Sequence, residues 1–204
     1  MKHILCDVDG VVINGYHVNP EKRISWSKDL EKDFGIKQSD MERIFFHGPF
    51  VHAIEGKIGL VEGLATVLPR LGYSGKAETL IEYWFKKDSN LNHDFLDWVK
   101  SKVSPQNHFS LATNQEHMRA NYLWNDLNLS QHFKEIYYAA KIGAKKPDVA
   151  FFEHIINDLG AHPSDMCFID DHPDNVATAM SLGMHGIVFN SMDDVKNHPF
   201  INEI

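Results

Sequence analysis

Cysteine is nearly missing from this 204-residue chain, which has two, Cys6 and Cys167. Neither has a Cys or His neighbour at a zinc-binding spacing, so no zinc site is expected. Each falls inside a short apolar run and reads as a small buried hydrophobe of a reducing compartment. Basic charge is also scarce: 20 Lys and Arg stand against 28 Asp and Glu, a net charge of −8. That balance argues against a nucleic acid or an anionic membrane as partner, since either favours a basic surface. No apolar stretch approaches the length of a membrane span. Met1-Lys2-His3 runs into a strand pattern without the layout of a secretion signal. Internal repeats, low-complexity segments and Gly/Ser linkers are absent as well. The expectation is a soluble, cytoplasmic globular protein, and no pattern fixes its oligomeric state.

What is present is a pair of apolar runs that end in acids. Ile4-Leu5-Cys6 runs into Asp7-Val8-Asp9-Gly10, and Met166-Cys167-Phe168-Ile169 runs into Asp170-Asp171. Acids at the exits of buried strands are costly unless a cation compensates them. Two such exits, far apart in sequence, point to carboxylates converging on one metal ion. Oxygen ligands of this kind favour Mg2+ over zinc or copper.

The elements between these exits alternate unevenly. A first strand is expected over 2–6, and residues 16–91 then read as helical throughout. Asn19-Pro20 is expected to open a helix through Trp26, Leu30 and Phe34, and Ser39 with Glu42 to form a capping box. The stripe Leu60, Leu64, Val67, Leu68, Leu71 predicts a helix kinked or ended near Pro69, and Leu80, Trp84 and Phe85 predict another. From His93 onward helices separate strands expected at 108–112, 136–138, 166–169 and 186–189. That alternation predicts a parallel sheet flanked by helices, an α/β Rossmann-like fold, with the early helical block inserted after the first strand. The expected division is a core of 1–15 and 92–204 and a helical cap of 16–91. In an open parallel sheet ligands bind beyond the carboxyl ends of the strands, where Asp7, Thr113 and Asp170/Asp171 all fall.

Alternation in Asp7-Val8-Asp9 places both carboxylates on one side of an extended segment, and Gly10 permits a sharp turn after it. In a phosphate site two such acids can divide the labour. One, held by Mg2+, attacks phosphorus, and the other protonates the departing alkoxide and later deprotonates water. Lys145 and Lys146 precede Pro147, which is expected to start a helix; a cation at that boundary offsets the acids and a transferring phosphoryl group. Spacing does not decide which of the two points inward. Thr113-Asn114, between a strand and a helix, offers a hydroxyl and backbone amides to a phosphate oxygen, or serves as an N-cap. His172, in the acidic loop Asp170-Asp171-His172-Pro173-Asp174-Asn175, reads as exposed and not as a ligand.

In these motifs the chain resembles the haloacid dehalogenase superfamily, whose members are mostly Mg2+-dependent phosphohydrolases. DVDGVV resembles the first family motif, LATN the second, GAKKP the third and FIDDHPDN the fourth. The resemblance implies Asp7 as nucleophile and Asp9 as general acid/base that also binds the metal through its backbone carbonyl. It implies Thr113 with Asn114 and Lys146 at the phosphate, and Asp171 as metal ligand beside Asp7 and Asp9. Asp170 is implied either as a ligand or as support for one. Val11 stands where a threonine is commoner in the family, and the insertion resembles its first type of cap. Dehalogenases of the superfamily lack the second acid and transport ATPases carry threonine there, so Asp9 implies a phosphate ester. The expected activity is hydrolysis of a small phosphorylated metabolite, such as a sugar phosphate, through an aspartyl-phosphate. A phosphomutase of the same superfamily and a receiver-like module phosphorylated on aspartate are the alternatives. The segment Phe45-Phe46-His47-Gly48-Pro49-Phe50-Val51-His52 is a candidate for substrate contact, or else core aromatics with exposed histidines.

Overall fold

The computed structural model describes all 204 residues. Five strands form one wholly parallel sheet: β1 (Lys2–Cys6), β2 (Asn107–Thr113), β3 (Ile136–Tyr138), β4 (Met166–Asp170) and β5 (His185–Val188), in the order β3-β2-β1-β4-β5. Strand side chains alternate between faces, and both faces are buried. Ile4, Cys6, Phe109, Leu111, Cys167 and Ile169 face one apolar cluster, whereas Leu5, Ala112, Met166 and Phe168 face another. The central strand β1 is therefore almost continuously apolar, as its sequence suggested.

Between β1 and β2 the chain forms short helices: α1 (Leu30–Phe34), α2 (Gln38–Met41), α3 (Pro49–Ile54), α4 (Leu60–Ala65) and α5 (Ala77–Lys87). They bury a cluster of their own, from Leu30 to Phe85. The segments entering and leaving this insertion lie side by side. Ile13 bridges Leu91 antiparallel, Asn14 N–H donates to Asn90 O, and Asn92 N–H donates to Val12 O. Helix α6 (His93–Lys102) then packs Phe95, Trp98 and Val99 on the first face of the sheet. The remaining helices are α7 (His117–Asn121), α8 (Ala139–Ile142), α9 (Val149–Leu159), α10 (Pro173–Ser181), α11 (Met192–Lys196) and α12 (Pro199–Asn202). Phe151, Phe152 and Ile155 of α9 and Val176 and Ala179 of α10 cover the second face. No helix is long and apolar enough to cross a membrane.

Several local expectations are corrected. Asn19 does cap Pro20, but only a single 3-10 turn forms at Pro20–Lys22, and Trp26 lies in a turn before α1. Ser39 caps nothing, because α2 has begun at Gln38 after Lys37. The stripe from Leu60 breaks after Ala65 and resumes as a 3-10 helix at Leu68–Leu71, where Pro69 occupies its first turn and lacks the amide a longer α-helix needs. Pro147 does not open the next helix; its bond to Lys146 is cis and α9 starts at Val149. Pro173 opens α10, so Asp174 and Asn175 of the acidic loop lie inside that helix. Two short helices, α11 and α12, follow the last strand.

Candidate active site

The carboxyl ends of β1, β2 and β4 meet at one edge of the sheet. Asp7 follows β1 directly, and its amide continues the ladder by donating to Ile169 O at 2.8 Å. The chain then turns back on itself. The amides of Val11, Val12 and Ile13 all reach Val8 O, and Gly10 adopts a left-handed φ of 82°. A Cβ on Gly10 would lie 2.7 Å from Asp171 Cγ, so glycine is required both for the turn and for the approach of the two acidic exits. Asp7, Asp170 and Asp171 each offer a carboxylate oxygen within 4.8 Å of the others, and all three residues are buried.

Lys146, not Lys145, points inward. Its Nζ lies 2.8 Å from Asp7 Oδ1 and 2.6 Å from Asp170 Oδ2, with the side chain almost wholly buried. Burial alone would lower its ammonium, but Asp170 and Asp7 outweigh burial and raise it. Asn114 holds the Lys146 backbone at both ends: its Nδ2 donates to Lys146 O and its Oδ1 accepts from Lys146 N–H. Lys145 turns away and pairs with Glu55 of the insertion at 3.2 Å.

The acids differ in how they are held. Asp170 accepts from Lys146 Nζ, His172 N–H and Asn175 Nδ2, so both its oxygens are engaged. Asp7 Oδ1 also accepts from Val8 N–H, and burial followed by the charge of Asp170 pushes its carboxyl well up, against the pull of Lys146. Asp171 is raised by burial and by Asp170, while its hydrogen bond from Val18 N–H opposes the shift. Asp9 accepts from Gln115 Nε2 at 2.6 Å. Burial and the charge of Asp88 push Asp9 up to about 6, with Arg119 and Gln115 opposing. Thr113 Oγ1 is buried at the end of β2 without a hydrogen-bond partner.

Sequence reasoning missed four contributors. Gln115 lies two residues past Thr113, so its nearness to the strand exit was a readable signal. Val18 and Asp88 lie at the two ends of the insertion, and nothing in their local pattern marks them. Arg119, 1% exposed, donates to Phe85 O and Asp88 O and lies 3.5 Å from Asp88 Oδ2. It thus fastens α7 to the end of α5, and its charge opposes the upward shift of Asp9. His172 is half-buried, with Nδ1 lacking a partner, where full exposure was expected.

Above this floor, the insertion walls a half-open chamber of about 1100 Å³ reached by Asp7, Asp9, Thr113, Asn114, Lys146 and Asp171. Three buried carboxylates, Asp7, Asp170 and Asp171, with the half-buried Asp9 beside them, share one directly paired ammonium, Lys146. The excess of hard oxygen donors fits a divalent cation such as Mg2+.

The family model for haloacid dehalogenase-like hydrolase matches residues 1–183. Flavin mononucleotide hydrolase 1 of Arabidopsis thaliana is 35% identical over 75 residues, 37% of this chain and 31% of that protein. The matched segments cover from 12% to 31% of the length of the curated relatives. A protein of Porphyromonas gingivalis described as a predicted HAD-like family hydrolase superposes with a TM-score of 0.72 at 25% identity, over 91% of this chain and 89% of that one. A HAD family enzyme of Bacteroides thetaiotaomicron, crystallised with magnesium and inorganic phosphate, superposes with a TM-score of 0.72 at 20% identity, over 91% and 92% of the two chains.

Proposed function

The chain belongs to the haloacid dehalogenase-like hydrolases, and on that premise we propose that it is a Mg2+-dependent phosphatase of a small phosphorylated compound. The observation that carries the reading is the placing of Asp7 and Asp9 on the floor of one chamber, with Lys146 on the first acid and an unpartnered Thr113 hydroxyl beside them. A receiver-like module has no use for a chamber over its acids, and that weighs for turnover.

In this reading Asp7 and Asp171 hold Mg2+, with the Asp9 backbone carbonyl, and Asp170 serves as the fixed counter-charge of Lys146. The ion supplies charge neutralisation that lets an anionic carboxylate approach an anionic phosphate. Thr113 donates its free hydroxyl to a phosphate oxygen, and Lys146 neutralises charge that builds up during transfer. Asn114 acts by fixing the Lys146 backbone. A carboxylate oxygen of Asp7 attacks phosphorus and forms an acyl phosphate. The bond to the ester oxygen breaks, and the alkoxide takes the proton of Asp9. Asp9, now ionised, takes a proton from water. The resulting hydroxide attacks phosphorus, releases inorganic phosphate and restores the Asp7 carboxylate. An acid held at about 6 can serve in both steps near neutral pH.

The insertion acts as a cap that restricts the chamber to small molecules. Two buried unpaired cysteines suit a cytoplasmic setting. The relatives support the phosphate-ester class, since one is named a flavin mononucleotide hydrolase and another a sesquiterpene phosphatase. The test is release of phosphate from a panel of esters with and without Mg2+, native protein beside Asp7→Asn. Mg2+-dependent release by the native chain alone supports the reading, and release by neither overturns it.

A further inference from the structure

The chamber is not lined evenly. Its floor is the charged cluster already described, whereas the walls contributed by the insertion carry Trp26, Phe46, Phe50 and Trp84. These rings form one connected group: Phe46 lies 4.9 Å from Phe50 and 5.1 Å from Trp84, Phe50 lies 5.5 Å from Trp84, and Trp26 lies 5.7 Å from Trp84 between ring centroids. Trp26, Phe46 and Phe50 are only half-buried, so part of each ring faces the chamber. Three large apolar side chains that are exposed by ordinary standards, Tyr16 at 54%, Ile24 at 52% and Val51 at 37%, open onto the same space.

The polar groups on these walls are mostly engaged elsewhere. Arg23 Nε donates to His17 O, Lys145 pairs with Glu55, His47 lies 3.5 Å from Glu42, and Ser25 and Ser27 bond to each other. A sugar half would need convergent free donors and acceptors, because each buried hydroxyl left unpaired is costly. What this chamber leaves free is mainly apolar surface, with Gln38 and Ser39 as the uncommitted polar side chains of the insertion, and a volume of about 1100 Å³ far exceeds a triose or a two-carbon acid.

Building on the phosphatase reading, we infer that the preferred substrate is a phosphate monoester of a bulky apolar alcohol, seated with its hydrocarbon against Trp26, Phe46 and Phe50 and its phosphate at Lys146 and Thr113. An aromatic ring and a branched aliphatic chain share this chemistry. Ring faces and edges in a mostly edge-to-face cluster suit the first, and the added Ile24 and Val51 suit either.

The test compares three primary-alcohol esters of similar leaving-group strength: 2-phenylethyl phosphate, citronellyl phosphate and glucose 6-phosphate. The native enzyme with Mg2+ is expected to give a kcat/KM for at least one apolar ester about tenfold or more above that for the sugar ester. Phe50→Ser, and Ile24→Ser at a position too exposed to threaten folding, are each expected to shrink that preference several-fold, through KM for the apolar ester. Equal or better use of glucose 6-phosphate overturns the inference and leaves the phosphatase reading standing. A preference that neither substitution reduces also overturns it. Release from no ester, under conditions where the fold is intact, overturns both.

Discussion

Lys146 is clamped by Asp170: its Nζ lies 2.6 Å from Asp170 Oδ2, while the other oxygen of that acid is held by His172 N–H. The lysine is therefore aimed at Asp7 by a partner that cannot easily turn. Asp170 belongs to the acidic pair of β4 yet serves the cation, which leaves Asp171 as the acid of that pair with room for an ion.

Replacing this lysine should expose its two jobs. Lys146→Met is expected to lower kcat by about 100-fold or more. It should also lower the melting temperature in metal-free buffer, because Asp7 and Asp170 lose their shared counter-charge. Steady-state kinetics and a thermal melt check the two effects on the same preparation.

Magnesium should stabilise the fold without substrate. At a concentration 100 times its dissociation constant the ion contributes about 2.7 kcal/mol. Thermal melts of the native chain should therefore rise with added Mg2+, and chelator should reverse the rise. Asp171→Asn is expected to abolish most of this response, whereas a response equal to the native one would remove Asp171 from the ligand set.

Asp9 gives a pH dependence of definite sign. Its folded pKa of about 6 lies above the ordinary carboxylate value of about 3.9, so the folded state binds more protons between the two. Its contribution to stability is present below about pH 4 and is lost as pH rises to 6. Asp9→Asn removes that loss. In metal-free buffer the variant should gain on the native chain by on the order of 2 kcal/mol between pH 4 and 6, with little further change above. Denaturant melts at intervals of half a pH unit provide the check.

Arg119 is a structural clasp between α7 and the end of α5. Its guanidinium also packs 5.1 Å from the Phe85 ring and 5.6 Å from the Tyr122 ring. Arg119→Met should cost about 3–5 kcal/mol, since the buried Asp88 loses its counter-charge and the carbonyls of Phe85 and Asp88 each lose a charged donor. Denaturant unfolding measures it directly.

The strand exits were legible because their signal is local: an apolar run, then an acid, repeated at Asp7 and Asp170/Asp171, with Thr113 at a third end. Parallel alternation placed these ends together without any contact information. The insertion was harder to read. Ser39-Glu42 carries cap chemistry that the nearby chain does not use, and the cap at Asn19-Pro20 opens no more than one 3-10 turn, because short helices there are held by the Leu30–Phe85 cluster and not by their own propensity. The choice between Lys145 and Lys146 depended on Asn114 gripping one backbone, a contact across 32 residues. Gln115 was within reach of the Thr113 signal, but Asp88 and Arg119 act on Asp9 at the joint between insertion and sheet, a relation that no spacing along the chain encodes.

In the proposed mechanism Asp7 carries the phosphoryl group. Rapid quenching of the enzyme during turnover of a phosphate-labelled ester, followed by borohydride reduction and peptide mapping, tests it most directly. The account predicts an acyl phosphate that borohydride reduces to homoserine at position 7 alone, and no such product in Asp7→Asn. Full activity of Asp7→Asn, or turnover with the modification at another residue, would contradict it.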